Sequence, residues 1–259
     1  MKKLLLLAAC AAFALAELIP LRVGTTPAPY GEILREYTQI AKDLETMGYK
    51  LVHTDFTDYL TPNFSLDAKE LDATLHQHAK YLANFNENKG TKLAVARLWL
   101  VNPLSIYSRK IKDIKATPKG ATVALPNDPT NESRAIDLLV LAGLIEADMK
   151  NELKTVLDIT KNPLELKFEE LEAAQLPRVL DEVDLDVIPG NYALGAGLEP
   201  LKEGLFFEDK DNVYANITVA VRQGEEESEK TKALIKAITT PELAKYIKER
   251  YKGALQPRF

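Results

Sequence analysis

Short unbroken apolar runs alternate along the chain with longer stretches in which apolar side chains recur every three or four residues. The first spacing suits buried strands and the second amphipathic helices, so their alternation predicts an α/β fold. "LRVGTT" (21–26) reads as a first strand. After it, Ile33, Leu34, Tyr37, Ile40, Ala41, Leu44 and Met47 fall on one stripe of a single helix over 29–47, which Gly48 ends. Further strands are predicted at 50–56, at 92–101 as a mostly buried one, and at 121–126, 166–171, 183–188 and 216–222. From Glu225 onward the pattern is helical. Thr240 caps a last helix, Pro241 opens it, and Leu243, Ala244, Ile247 and Tyr251 form its buried stripe.

One junction is more polar than its neighbours. In "LPNDPTNESRAIDLL" (125–139) an apolar strand gives way to Asp128 and Pro129, an N-cap followed by proline at the first helical position. Asn127, Thr130, Asn131 and Arg134 surround the start of that helix at the carboxyl end of a strand, where open α/β sheets bind ligands. The free N–H groups of a helix start and the guanidinium of Arg134 suit a carboxylate or phosphate. The plainer reading, a capped helix with a solvated arginine, fits this stretch equally well.

Charge and motifs narrow the function. The formal net charge is −5 with no basic block, which argues against a nucleic-acid partner. The first residues, "MKKLLLLAACAAFALAELIP", join a basic start to an apolar run over 4–15 and the triplet Ala14-Leu15-Ala16, the pattern of a secretory signal peptide over 1–16 cleaved near Ala16. The mature protein is then soluble and periplasmic. A second reading takes Leu7-Ala8-Ala9-Cys10 as a lipobox that leaves the protein anchored through a lipid on Cys10. Cys10 is the one cysteine in the chain, so no disulfide stabilises the fold. Nucleophile-elbow, P-loop and dinucleotide-binding motifs are all missing, and no cofactor is called for. Of the three histidines, His76 and His78 form an H-x-H pair that would share one face if placed on a strand. An exported enzyme using them around a metal is therefore the alternative function, although no third histidine or cysteine is spaced to complete a metal site and a distant carboxylate would have to. Tyr30, Tyr59, Tyr81, Trp99, Tyr107, Tyr192 and Tyr214 are candidates to line a cleft for an apolar group.

Several stretches in one order resemble the NlpA/MetQ family of substrate-binding proteins of methionine ABC importers: "VGTTPAPYGEIL" (23–34), "DFTDYLTPNFSL" (55–66), "LDATLHQHAKYL" (71–82), the 125–139 junction, "ELEAAQLPRVLDEVDLDVIPGNYAL" (170–194) and "YANITVAVR" (214–222). The resemblance implies a two-lobe periplasmic-binding-protein fold with two crossover strands and a ligand cleft between the lobes. Lobe one would comprise 17–106 plus 216–259 and lobe two 107–215, with crossovers near 106–109 and 214–219. It implies a binding protein rather than an enzyme, with an inner-membrane ABC permease as partner and methionine, a related amino acid or a methionine-containing peptide as ligand. By the same resemblance Arg134 holds the ligand carboxylate with Asn131 beside it. His78 and Tyr81 help to form the side-chain pocket, and Asn216 helps to hold the amino group. Two positions depart from the family pattern. His76 stands where phenylalanine is usual, and Pro189 where an asparagine that holds the amine is common. Proline has no side-chain acceptor, so either Asn191 or Asn216 takes over that bond or the ligand differs from free methionine.

Overall fold

A computed structural model describes residues 17–259, so the predicted signal peptide and Cys10 lie outside the described residues. Its strands, in chain order, are β1 (Ile19–Thr25), β2 (Tyr49–Asp55), β3 (Ala73–Leu75), β4 (Leu93–Val101), β5 (Leu104–Tyr107), β6 (Thr122–Pro126), β7 (Glu146–Ala147), β8 (Ile159–Lys161), β9 (Lys167–Leu171), β10 (Leu185–Pro189), β11 (Gly204–Phe207), β12 (Asn216–Arg222) and β13 (Gln256–Pro257). They form a six-stranded sheet in the order β13-β4-β12-β3-β1-β2, a five-stranded sheet in the order β11-β5-β10-β6-β9, and a small ribbon of β7 with β8. Both large sheets are mixed. β1 runs parallel to β2 and β3 while β12 is antiparallel to β3 and β4, and β6 runs parallel to β9 and β10 while β5 is antiparallel to β10 and β11.

The helices pack on these sheets. They are α1 (Glu32–Glu36), α2 (Gln39–Thr46), α3 (Thr61–Asp67), α4 (Ala79–Lys89), α5 (Pro129–Leu141), α6 (Leu176–Val179), α7 (Gly190–Gly195), α8 (Pro200–Glu203), α9 (Glu229–Ile238) and α10 (Pro241–Tyr251). Each sheet has its own core. Leu21, Val23 and Trp99 meet Leu234, Ile238 and Ile247 in one, and Leu104, Ile106, Val123 and Val187 meet Ile136 and Leu139 in the other. Each fully buried aliphatic side chain of this kind stabilises the fold by about 1.5–3 kcal/mol. β10 is buried along its whole length, which is why "LDVIP" reads as a run rather than an alternation. β4 is less covered than its sequence suggests. Val95 and Leu98 are exposed, because its outer neighbour β13 reaches only Leu100 and Val101.

The single helix expected over 29–47 is interrupted. α1 ends at Tyr37, whose ψ of 76° leaves the helical region, and α2 starts afresh after Thr38. The break lets the Tyr37 ring pack on Tyr246 of α10, with centroids 5.0 Å apart. Aromatic and β-branched residues give up little helix stability at such a point.

The chain passes from the first sheet to the second at Asn102–Pro103, ahead of the 106–109 segment expected for it, and Ile106 sits inside β5. Pro103 has no N–H to continue the ladder of β4 with β12, so the pairing ends at Val101. The return lies between β11 and β12. Hydrogen bonds join the two passages: Asn102 N–H donates to Ala215 O at 2.8 Å, and Leu104 N–H to a Glu208 carboxylate oxygen at 3.0 Å.

Candidate functional site

α5 contributes the first wall of a cavity between the two sheets. Its start has the chemistry its sequence implies: the Asp128 carboxylate accepts from Asn131 N–H at 3.0 Å, and Pro129 fills the position where a missing N–H costs nothing. That cap corrects one expectation. The helix start already holds a carboxylate of its own, which also accepts from the Thr130 hydroxyl and from Asn131 Nδ2, so attraction for an external anion falls on the Arg134 side chain.

Arg134 is 7% exposed and lies three residues after Asn131 on the same helical face. Its Nε and Nη2 donate to the two oxygens of Glu208 at 3.0 and 2.5 Å, and Nη1 donates to Asn131 Oδ1 at 2.8 Å. Burial alone would lower its pKa, but the charge and hydrogen bonds of Glu208 outweigh burial and raise it, so the guanidinium stays charged. A guanidinium has five N–H groups, and three are taken here, which leaves two for a ligand. Glu208 was not anticipated from the sequence, since its contact with Arg134 spans 74 positions and carries no local signal.

Glu208 cannot be replaced by an amide without conflict. One of its oxygens accepts from Arg134 Nε and Asn212 Nδ2, and the other from Arg134 Nη2 and Leu104 N–H. Whichever way a glutamine turned, its NH₂ would face donors. Glu208→Gln should therefore destabilise the fold by about 3 kcal/mol, the scale of a broken buried ion pair. Urea unfolding would measure this, and a loss under 1 kcal/mol would contradict the geometry.

The facing wall comes from the turn between β3 and α4. His76 and His78 do not lie on a strand, which corrects the shared-face expectation, because β3 ends at Leu75 and His78 is already the N-cap of α4. His78 Nδ1 accepts from Tyr81 N–H at 3.1 Å, and its Nε2 lies 3.3 Å from Asn131 Oδ1. His76 Nε2 donates to Tyr59 O at 3.2 Å. Burial pushes His76 down to about 4 and holds His78 well below the usual histidine range, with the charge of Arg134 a further cause for His78. Both rings are neutral at pH 7. Among the described residues no group of three or more His, Cys, Asp or Glu side chains is placed to hold a metal.

Polar contacts cross between the two lobes. Tyr59 OH donates to Asn191 Oδ1 at 2.6 Å, Tyr192 OH to Thr57 O at 3.0 Å, and Lys80 Nζ to Glu152 O at 2.9 Å. The cavity they close over is narrow in this arrangement, with only about 20 Å³ in which the centre of a water-sized molecule fits. Of the residues proposed from sequence, Tyr30, Tyr59, His76, His78, Tyr81, Asn131, Arg134 and Asn191 all line it, as does Pro189. Asn216 is not among the lining residues; its Nδ2 donates to Val213 O at 2.9 Å. Trp99 lies in the first core with its indole N–H on Ile238 O, and Tyr107 belongs to the second lobe's core. Tyr214 packs against the ring of His78. The lining also includes Asn102, Gln77, Gly190 and Ile217, which were not anticipated. Asn102 had a legible signal, as a polar residue isolated in "LWLVNPLSIY".

Two α/β lobes joined by paired passages, with a buried arginine in a cavity walled by both, define a substrate-binding protein that encloses a small ligand. The chain belongs to the NlpA lipoprotein family, whose model matches residues 21–259. It is 42% identical over 236 residues to outer membrane lipoprotein 3 of Mannheimia haemolytica, covering 91% of this chain and 89% of that one. The D-methionine-binding lipoprotein MetQ of Escherichia coli K12 is 37% identical over 236 residues, 90% of this chain and 86% of the relative. A nutrient-binding protein from Burkholderia cenocepacia, solved bound to methionine, superposes with a TM-score of 0.86 at 39% identity, covering 92% of this chain and all of that one.

Proposed function

We propose that this protein is the methionine-binding component of an ABC importer: it encloses the amino acid between its lobes and delivers it to a permease in the inner membrane. The observation that carries this reading is the Arg134 guanidinium, buried and charged, with two N–H groups left to meet a carboxylate. Asn131 and Glu208 fix its plane, and Tyr30, Tyr59, Tyr81, His76 and His78 surround the space beside it. Neutral rings and protonated phenols suit a thioether, which is polarizable and carries no charge. The family's relatives named for methionine support the ligand class. The protein is a binding protein and not an enzyme. It acts outside the cytoplasm, and membership of a lipoprotein family supports the Cys10 anchor over cleavage near Ala16.

The permease reads the closed form, so methionine acts by shifting the lobes toward closure. Protein unfolded and refolded to remove ligand should be stabilised by about 2.7 kcal/mol when methionine is present at about 100 times its dissociation constant. A thermal-shift series with L- and D-methionine, methionine dipeptides and other amino acids tests this. Silence toward both methionine enantiomers would remove the proposal.

A further inference from the structure

The methionine reading leaves the ligand's amine without a free side-chain acceptor at the start of α7. Pro189 contributes no side-chain acceptor at the N-terminus of α7. Asn191, two residues on, has its Oδ1 occupied by the Tyr59 hydroxyl, and its Nδ2 lies 3.5 Å from Thr26 Oγ1. Asn216 is not among the residues that line the cavity, although its Oδ1 too is buried without a hydrogen-bond partner.

Asn102 offers such an acceptor on the cavity wall itself. It sits where the chain first passes between lobes, is 4% exposed, and lines the cavity. Its backbone N–H is fixed on Ala215 O, and its Nδ2 donates to the Tyr30 hydroxyl at 2.7 Å. The residue is thereby fixed through its backbone and its Nδ2, while its Oδ1 is buried without any hydrogen-bond partner. A buried carbonyl oxygen left in that state is costly unless a donor reaches it. Gly190 makes room for it: a Cβ on residue 190 would lie 1.9 Å from Asn102 Oδ1. Pro189 and Gly190 together thus withdraw side chains from this wall at the place where Asn102 enters from the other side.

We propose that Asn102 Oδ1 accepts a hydrogen bond from the ligand's amino group, so that the amide missing at position 189 is supplied from the first interlobe passage, with Gly190 as the residue that admits it. This rests on the methionine reading of the cavity. Arg134 would hold the carboxylate and Asn102 the ammonium, and discrimination between an amino acid and a plain carboxylic acid would lie with Asn102.

The probes are L-methionine and 4-(methylsulfanyl)butanoate, which is methionine without its amine, measured by calorimetry against wild type, Asn102→Ala, Asn102→Asp and Gly190→Ala. Asn102→Ala should weaken methionine about tenfold to a hundredfold and leave the amine-free acid within about twofold. Gly190→Ala, which pushes the carboxamide aside, should show the same selective loss. Asn102→Asp keeps an acceptor oxygen and should keep the preference for methionine, which carries the test even if the alanine variant fails to fold. Equal losses for both probes, or unchanged methionine affinity in Asn102→Ala, would overturn the inference while leaving methionine binding by the wild type intact. A preference lost in Asn102→Asp would overturn it as well. Wild type that ignores methionine altogether would instead remove the functional reading, and this inference with it.

Discussion

Arg134→Ala binds methionine at least thirtyfold more weakly than wild type in calorimetry at pH 7, and Arg134→Lys recovers little of that loss. The expectation follows from how the guanidinium is used. Three N–H groups hold Glu208 and Asn131, and the remaining two stay free in the fixed plane that this grip sets. Truncating one partner of a buried charge pair costs about 2–5 kcal/mol in binding. A lysine ammonium has three donors on a flexible stem and cannot span both Glu208 oxygens, Asn131 and a ligand carboxylate together. The same substitution harms the fold, since it strands the Glu208 carboxylate, which is 5% exposed, without its cation. The two effects separate in Arg134→Met/Glu208→Leu, where an apolar pair replaces the ion pair. That variant should regain part of the stability lost in Arg134→Ala, since the Leu104 N–H then loses its acceptor, and still fail to bind. Arg134→Ala with wild-type affinity would take the carboxylate away from this site.

Asp186→Asn makes the protein more stable at pH 8 than wild type, by on the order of 5 kcal/mol, and about equally stable below pH 4. Asp186 lies on β10, fully buried, and neither carboxylate oxygen has a hydrogen-bond partner. Burial pushes its pKa up from 3.8 to about 8. The folded protein therefore takes up a proton that the unfolded chain releases near pH 4. Stability from this source is complete at low pH and is lost progressively as pH rises from about 4 to about 8. Asparagine has nearly the same shape and cannot ionise, so it is free of that dependence. Urea denaturation at pH 5 and pH 8 gives the comparison, and parallel pH dependences in the two proteins would sink the idea. Since whole domains are stable by only about 5–15 kcal/mol, the effect is large.

Local chemistry made some features legible in the sequence, and distant contacts hid others. The start of α5 could be read because Asp128 and Pro129 satisfy a helix end with their own atoms. β12 and β6 were legible as apolar runs between polar turns. The His76–His78 turn was not, because three residues carry no period, and only the cap from His78 to Tyr81 decides it. The break at Tyr37 depends on a ring in α10, more than two hundred positions away. Glu208 looks like an ordinary acid in "FFEDKDN", and its role exists only because the return passage lies beside α5. Most of the cavity wall proposed from family resemblance gathers around one space, while Asn216 turns its amide toward Val213.

The bonds from Tyr59 to Asn191, Tyr192 to Thr57, and Lys80 to Glu152 join groups on opposite sides of the cavity without passing through its contents. A molecule held inside cannot leave until these part, whatever its own grip on Arg134. Escape is then limited by how often the two halves separate, so residence time is set at the rim as much as in the pocket. Loosening the Tyr192 or Lys80 bond, whose partners do not line the pocket, would speed both entry and escape and leave the choice of ligand unchanged. Lifetime is thereby shared with residues such as Tyr192 and Lys80 that take no part in lining the pocket.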